Sequence, residues 1–128
     1  MSYYIAKTVD YSFEDAIVKT TEALKEVGFG IITTIDMQAK LSDAINKEIK
    51  PYLILGACNP SYAGKALDKE SRIGVMLPCN VIVRVDDSNV VEVAAINAYE
   101  TMKSVNNSEL ESVAKEVNDK LEQVISNL

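Results

Sequence analysis

The chain has no histidine and no tryptophan. Without histidine there is no Ser-His-Asp triad, no Cys-His dyad and no His-ligated metal site. Without tryptophan, only six tyrosines and two phenylalanines can stack on a ligand. Cysteine is scarce too: Cys58 and Cys79 are the only two, too few to hold an iron–sulfur cluster within one chain. Thirteen Lys and Arg are outnumbered by nineteen Asp and Glu, for a net charge of -6. A nucleic-acid backbone and an anionic membrane surface both call for the opposite balance. No run approaches 18 uninterrupted apolar residues, the length that would suggest a membrane span. The first residues lack a basic stretch followed by an apolar one, so the expectation is a leaderless cytoplasmic chain with reduced thiols. Asn106-Asn107-Ser108 fits a glycosylation pattern that carries no weight without secretion.

What remains is the profile of a soluble domain. Across 128 residues, 48% are apolar and 25% charged, enough for one core without staples. Residues 1–128 are therefore read as a single domain. Residues 3–9 alternate as a strand. Ser12 then caps a helix, with Asp15 three positions on, and Phe13, Ala16, Ile17, Thr20, Leu24 and Val27 form its apolar stripe. Gly28 suits the residue just past that helix.

A second strand follows over residues 29–37, with Asp36 at its end expected to be solvated. A short helix comes next, over 38–47, with Leu41, Ala44 and Ile45 inward, stopped before Pro51. Residues 52–57 are continuously apolar, as in a strand covered on both faces or lying at a dimer contact. Asn59 and Pro60 open a third helix with Ala63, Ala66 and Leu67 inward. Residues 73–77 and 79–85 read as strand interrupted at Pro78, and 90–96 returns after an Asp86–Asn89 turn. Ser108 and Glu111 form a capping box for a long last helix, whose charged face is solvated. The order β-α-β-α-β-α-β-β-α predicts an α+β two-layer sandwich, one curved mixed sheet with helices largely on one face.

Two segments stand out: Ile54–Pro60 (Ile-Leu-Gly-Ala-Cys-Asn-Pro) and Gly74–Val83. Each sets a Cys-Asn pair beside a proline at the edge of an apolar run. The candidate ligand-binding residues are Gly56, Cys58, Asn59, Tyr62, Cys79 and Asn80. Gly56 permits a turn, and the loop delivers Cys58 and Asn59 to a helix N-terminus, where a thiol ionises more readily or an anion can be held. The plain structural alternative is that both cysteines act as small hydrophobes, Asn59 as a cap and Asn80 as a bridge across a strand irregularity. Met76 and Met102 read as core filler.

These segments resemble a known family, the domain of unknown function 302. The resemblance rests on Ile54–Pro60, on the Ala-x-x-Ala-Leu helix at Ala63–Leu67, on Leu77–Val81 and on the strand Phe29–Asp36. It implies a two-layer α/β fold, commonly dimeric, and brings no catalytic assignments. Many relatives look to have Asp-Pro after the last strand, where this chain has Asn97-Ala98.

The leading expectation is a small-molecule or anion-binding module. The alternatives are a thiol-dependent redox or transfer protein and a ligand-free partner-binding or assembly protein. The expected partner is a second copy of the chain, with a small anionic ligand as a further candidate. No cofactor, metal, nucleic acid or membrane is implied, and the sequence decides neither a reaction nor a substrate.

Overall fold

The computed structural model describes residues 2–128. Its five strands are β1 (Tyr4–Val9), β2 (Gly30–Asp36), β3 (Tyr52–Cys58), β4 (Cys79–Val85) and β5 (Val91–Ile96). The helices are α1 (Phe13–Glu26), α2 (Met37–Ile45), α3 (Pro60–Lys69), α4 (Ala98–Met102) and α5 (Glu111–Ser126). The strands form one open sheet in the order β1-β5-β4-β3-β2. This is the expected α+β architecture, with one correction. Every pairing is antiparallel, so the sheet is not mixed.

Strand alternation divides the two faces. Cys79, Val81 and Val83 of β4 are buried on the helix side, opposite Ala57, Leu55 and Leu53 of β3. They meet Ala16 and Leu24 of α1 and Val117, Leu121 and Val124 of α5 in one core. Burying such side chains contributes about 1.5–3 kcal/mol each. The other face presents Tyr4, Tyr52, Ile54, Ile82, Ala94 and Ile96, crossed by a single Arg84–Glu92 ion pair of 2.9 Å. Among the described residues no helix is long and apolar enough to cross a membrane.

Local signals explain most of the boundaries. The Ser12 hydroxyl accepts from the Asp15 N–H at 3.1 Å, and Gly28 takes φ +87° just past α1. The Asp36 carboxylate, expected to be merely solvated, caps α2 by accepting from Ala39 N–H at 3.0 Å.

Four expectations are corrected. Residues 73–76 form a 3₁₀ turn rather than a strand; Ile73 plugs the core from it, and the chain reaches β4 through a cis Leu77–Pro78 peptide. Helix α2 buries none of its residues, and Ile45 is 63% exposed, because α2 bridges two antiparallel neighbours without packing into the core. Leu67 points outward at 47% exposure, since Ala66 takes the inward position. The last helix starts without the Ser108 box. Asn107 Oδ1 instead accepts from Glu109 N–H at 3.0 Å, shaping a 3₁₀ turn over Ser108–Leu110 ahead of α5. Helix α4, capped by Asn97, was not expected at all.

Candidate ligand-binding site

The end of β3 runs directly into α3, and Asn59 makes the joint. Its Oδ1 accepts from Ser61 N–H (3.1 Å) and Tyr62 N–H (3.4 Å), and its carbonyl accepts from Ala63 N–H at 2.9 Å. Pro60 has no N–H. The α3 N-terminus therefore has no free amide left for an anion, although a helix start is in general suited to one.

Beside this joint lies a cavity of about 300 Å³. Its floor is the ends of the central strands, with Ala57, Cys58 and Cys79, together with Leu77 and Pro78. Phe29 and Ile32 close one side, while α3 contributes Tyr62, Ala63 and Ala66. The remaining wall is Ala98 and Met102 of α4, Leu110, and Val113, Ala114 and Val117 of α5. A cross-link holds that wall in place: Asn107 Nδ2 donates to the Lys69 carbonyl (3.0 Å) and to Glu70 Oε1 (3.1 Å) at the end of α3.

The six residues singled out in the sequence are not all brought together. Cys58, Asn59, Tyr62 and Cys79 line the cavity. Gly56 does not line it; it is buried within β3, packed so closely that a Cβ there would overlap the Thr33 hydroxyl and lie 2.8 Å from Pro78 Cγ. Asn80 faces the other way. It stands opposite Gly56 on the uncovered face of the sheet, in a broad concavity with Tyr52, Ile82 and Arg84. Within β4 neighbouring side chains alternate between the two faces, and Asn80 lies on the face away from the cavity that Cys79 lines.

The lining is almost wholly apolar. Among the described residues it contains no lysine, arginine, aspartate or glutamate, and its polar side chains are Asn59, Tyr62 and the two cysteines. The Tyr62 hydroxyl is pushed up in pKa by desolvation and by the Glu116 carboxylate beside it. Both cysteines are free. Burial, reinforced by the Cys58 thiol, pushes Cys79 up to about 11, so Cys79 is a neutral thiol at pH 7. Among the described residues no group of three or more Cys, Asp or Glu side chains is placed to hold a metal ion.

The Cys79 shift sets a pH dependence. The folded pKa lies above the unfolded value near 9, so this contribution is complete below pH 9. It is lost as pH rises towards 11, by about 2–3 kcal/mol at the limit. Urea midpoints should fall more steeply between pH 9 and 11 in the wild type than in Cys79→Ala. Parallel slopes would show that Cys79 does not titrate this way.

Sequence reasoning did not single out Phe29, Ile32, Met102 or the α5 residues as cavity lining. The available signal was alanine. Ala57, Ala63, Ala66, Ala98 and Ala114 sit at inward positions where larger side chains would fill the space.

Residues 5–128 match the family model described as "Domain of unknown function DUF302", and the chain belongs to that family. A solved structure, described as the crystal structure of an uncharacterized conserved DUF302 protein from Bacillus stearothermophilus, is similar over 98% of each chain, with a TM-score of 0.92 at 21% identity. At that identity the likeness establishes the fold alone. The comparison with curated proteins found no match.

Proposed function

We propose that the chain is a single-domain binding module for a small, uncharged and mainly apolar molecule, held in the cavity against Cys58 and Cys79. The carrying observation is a space of about 300 Å³ lined mainly by alanines, aliphatic side chains, Phe29 and Tyr62, with no charged side chain in its wall among the described residues. Ligand sites of this kind are concave, apolar and sparing in polar groups. The absence of a lining cation and the occupied amides at the start of α3 favour this reading over a small anion.

Isothermal titration with naphthalene as an apolar probe should give saturable one-to-one binding. Cys58→Ser should retain that binding within about threefold, because Cys58 is only half-buried and a hydroxyl of similar size there stays within reach of water. No heat and no thermal shift with naphthalene would remove the proposal.

The thiol-dependent alternative is favoured by one observation, that both thiols border the same space. It requires a thiolate at neutral pH, and burial makes Cys79 unsuited to that. Measuring alkylation rate against pH separates the two readings. A rate at Cys58 that has already levelled off by pH 7 supports thiol chemistry, whereas a rate still climbing at pH 8.5 speaks for the binding module.

The partner reading belongs to the other side of the sheet. We propose a homodimer formed by stacking the uncovered face on its twofold copy. Tyr52, Ile54, Ile82 and Ile96 supply apolar area, and Tyr4 is 46% exposed there. The Arg84–Glu92 pair offers both signs of charge within one patch, as a self-complementary interface needs. Light scattering at micromolar concentration should give twice 14.0 kDa. Ile82→Asp should return the mass to 14.0 kDa with unchanged circular dichroism. A wild-type mass of 14.0 kDa would rule the dimer out.

A further inference from the structure

The apolar cavity shares part of its wall with a second recess. Met102, Leu110 and Ala114 line both, and the outer recess, of about 290 Å³, has more polar side chains in its lining than the inner cavity. We infer that the two spaces form one site for an amphiphile, with an apolar tail in the inner cavity and an uncharged, hydrogen-bonding head in the outer recess. The head is a hydroxyl or an amide. This inference rests on the apolar-ligand reading and adds to it the chemistry of the head.

The charges of the recess select against an ionised head. Among the described residues, Lys103 is its only cationic lining residue. Its Nζ lies 2.9 Å from Glu100 Oε1 and 4.9 Å from the centre of the Tyr99 ring. The Tyr99 hydroxyl donates to Glu111 Oε1 at 3.2 Å. An anionic head would meet a cation that is already paired and a carboxylate that repels it. A cationic head would compete with Lys103 itself.

What the recess offers freely is neutral. The side chains of Asn106 and Ser108 are exposed and make no hydrogen bond among the described residues. Each can both donate and accept, which matches a hydroxyl or an amide. Asn107 is not available for this role, because its amide is committed to Lys69, Glu70 and Glu109.

The shared wall also suits a chain: there Ala114 contributes only a methyl group, beside Leu110 and Met102. Met102 is unbranched, with three rotatable bonds, and can move aside without disturbing the backbone.

Three probes test the inference: naphthalene for the inner cavity alone, decan-1-ol for both compartments, and decanoate for the sign of the head. The double variant Asn106→Gly, Ser108→Ala removes the head contacts. Glycine tolerates the left-handed backbone that Asn106 adopts, at φ 57°, so the fold is retained.

Titration should show decan-1-ol binding the wild type more tightly than decanoate. The double variant should weaken decan-1-ol roughly three- to tenfold, the loss expected of one or two net hydrogen bonds, and leave naphthalene unchanged. Decanoate binding as tightly as decan-1-ol overturns the inference, as does a double variant that weakens both probes alike or neither. In those cases naphthalene binding still supports the apolar cavity. If naphthalene itself fails to bind, both readings fall.

Discussion

Gly56→Ala should destabilise the protein by about 1–3 kcal/mol, the usual cost of forcing an extra carbon into a well-packed interior, and Thr33→Ala should restore part of that loss. The backbone of β3 at Gly56 is buried between two neighbours. On one side is the Thr33 hydroxyl of β2, on the other the Pro78 ring at the start of β4, 2.8 Å from where a Cβ would stand. Thr33 is an exposed edge residue, so Thr33→Ala alone should cost little. In the double variant the hydroxyl overlap is gone and only the proline contact remains. Urea midpoints for the four proteins close a double-mutant cycle. A coupling of about 1 kcal/mol in the rescuing direction is expected. Strict additivity would show that the strain lies elsewhere.

At that position the sequence pattern and the structure part ways: the expectation from sequence is that Gly56 permits a turn before a binding loop. It is instead a mid-strand residue, paired with Asn80, and its missing side chain admits Thr33 and Pro78. Its contribution to the cavity is indirect: it lets Pro78 approach β3, and Pro78 forms part of the floor.

The elements that were legible are those defined by local chemistry. Ser12, Gly28 and the Asn59-Pro60 pair act on backbone groups within a few residues of themselves, and the structure shows each doing so. The misread elements depend on distant context. Ile73–Leu77 has strand composition, yet no neighbour pairs with it, and Ile73 is used as a plug. Ser108 has the residue spacing of a cap, yet Asn107, tied to α3, turns the chain first. Helix α4 is five residues long, too short to carry a readable period.

The candidate site divides along the same line. Cys58 and Asn59 end a strand and begin a helix, so a local reading placed them well. Cys79 and Asn80 are adjacent within β4, and the two-residue period alone assigns them to opposite faces. That rule was available from the sequence and separates Asn80 from the other candidates. The cavity itself was not legible, because its walls come from β2, β3, β4, α3, α4 and α5, and an unfilled volume is a property of how these elements meet.

Filling that volume gives the second large effect. Ala63 lies on α3, half-buried, with its methyl on the cavity wall. Ala63→Phe places an aromatic ring into the 300 Å³ space, whose lining is otherwise largely apolar. The ring gains apolar burial and meets no charged group there. Cavity-filling substitutions of this kind commonly stabilise by about 0.5–2 kcal/mol, which for a chain of this size corresponds to a rise in Tm of roughly 2–8 °C. The same ring takes the place a ligand would occupy, so naphthalene binding should fall at least tenfold. The two readouts move in opposite directions, and this separates occupation of the cavity from damage to it. A variant that loses both stability and binding has been overpacked, and the smaller Ala63→Val then takes its place in the same assay. A variant that is stabilised but still binds naphthalene at full strength would show that the probe sits elsewhere, and the cavity beside Cys58 and Cys79 would no longer be the binding site.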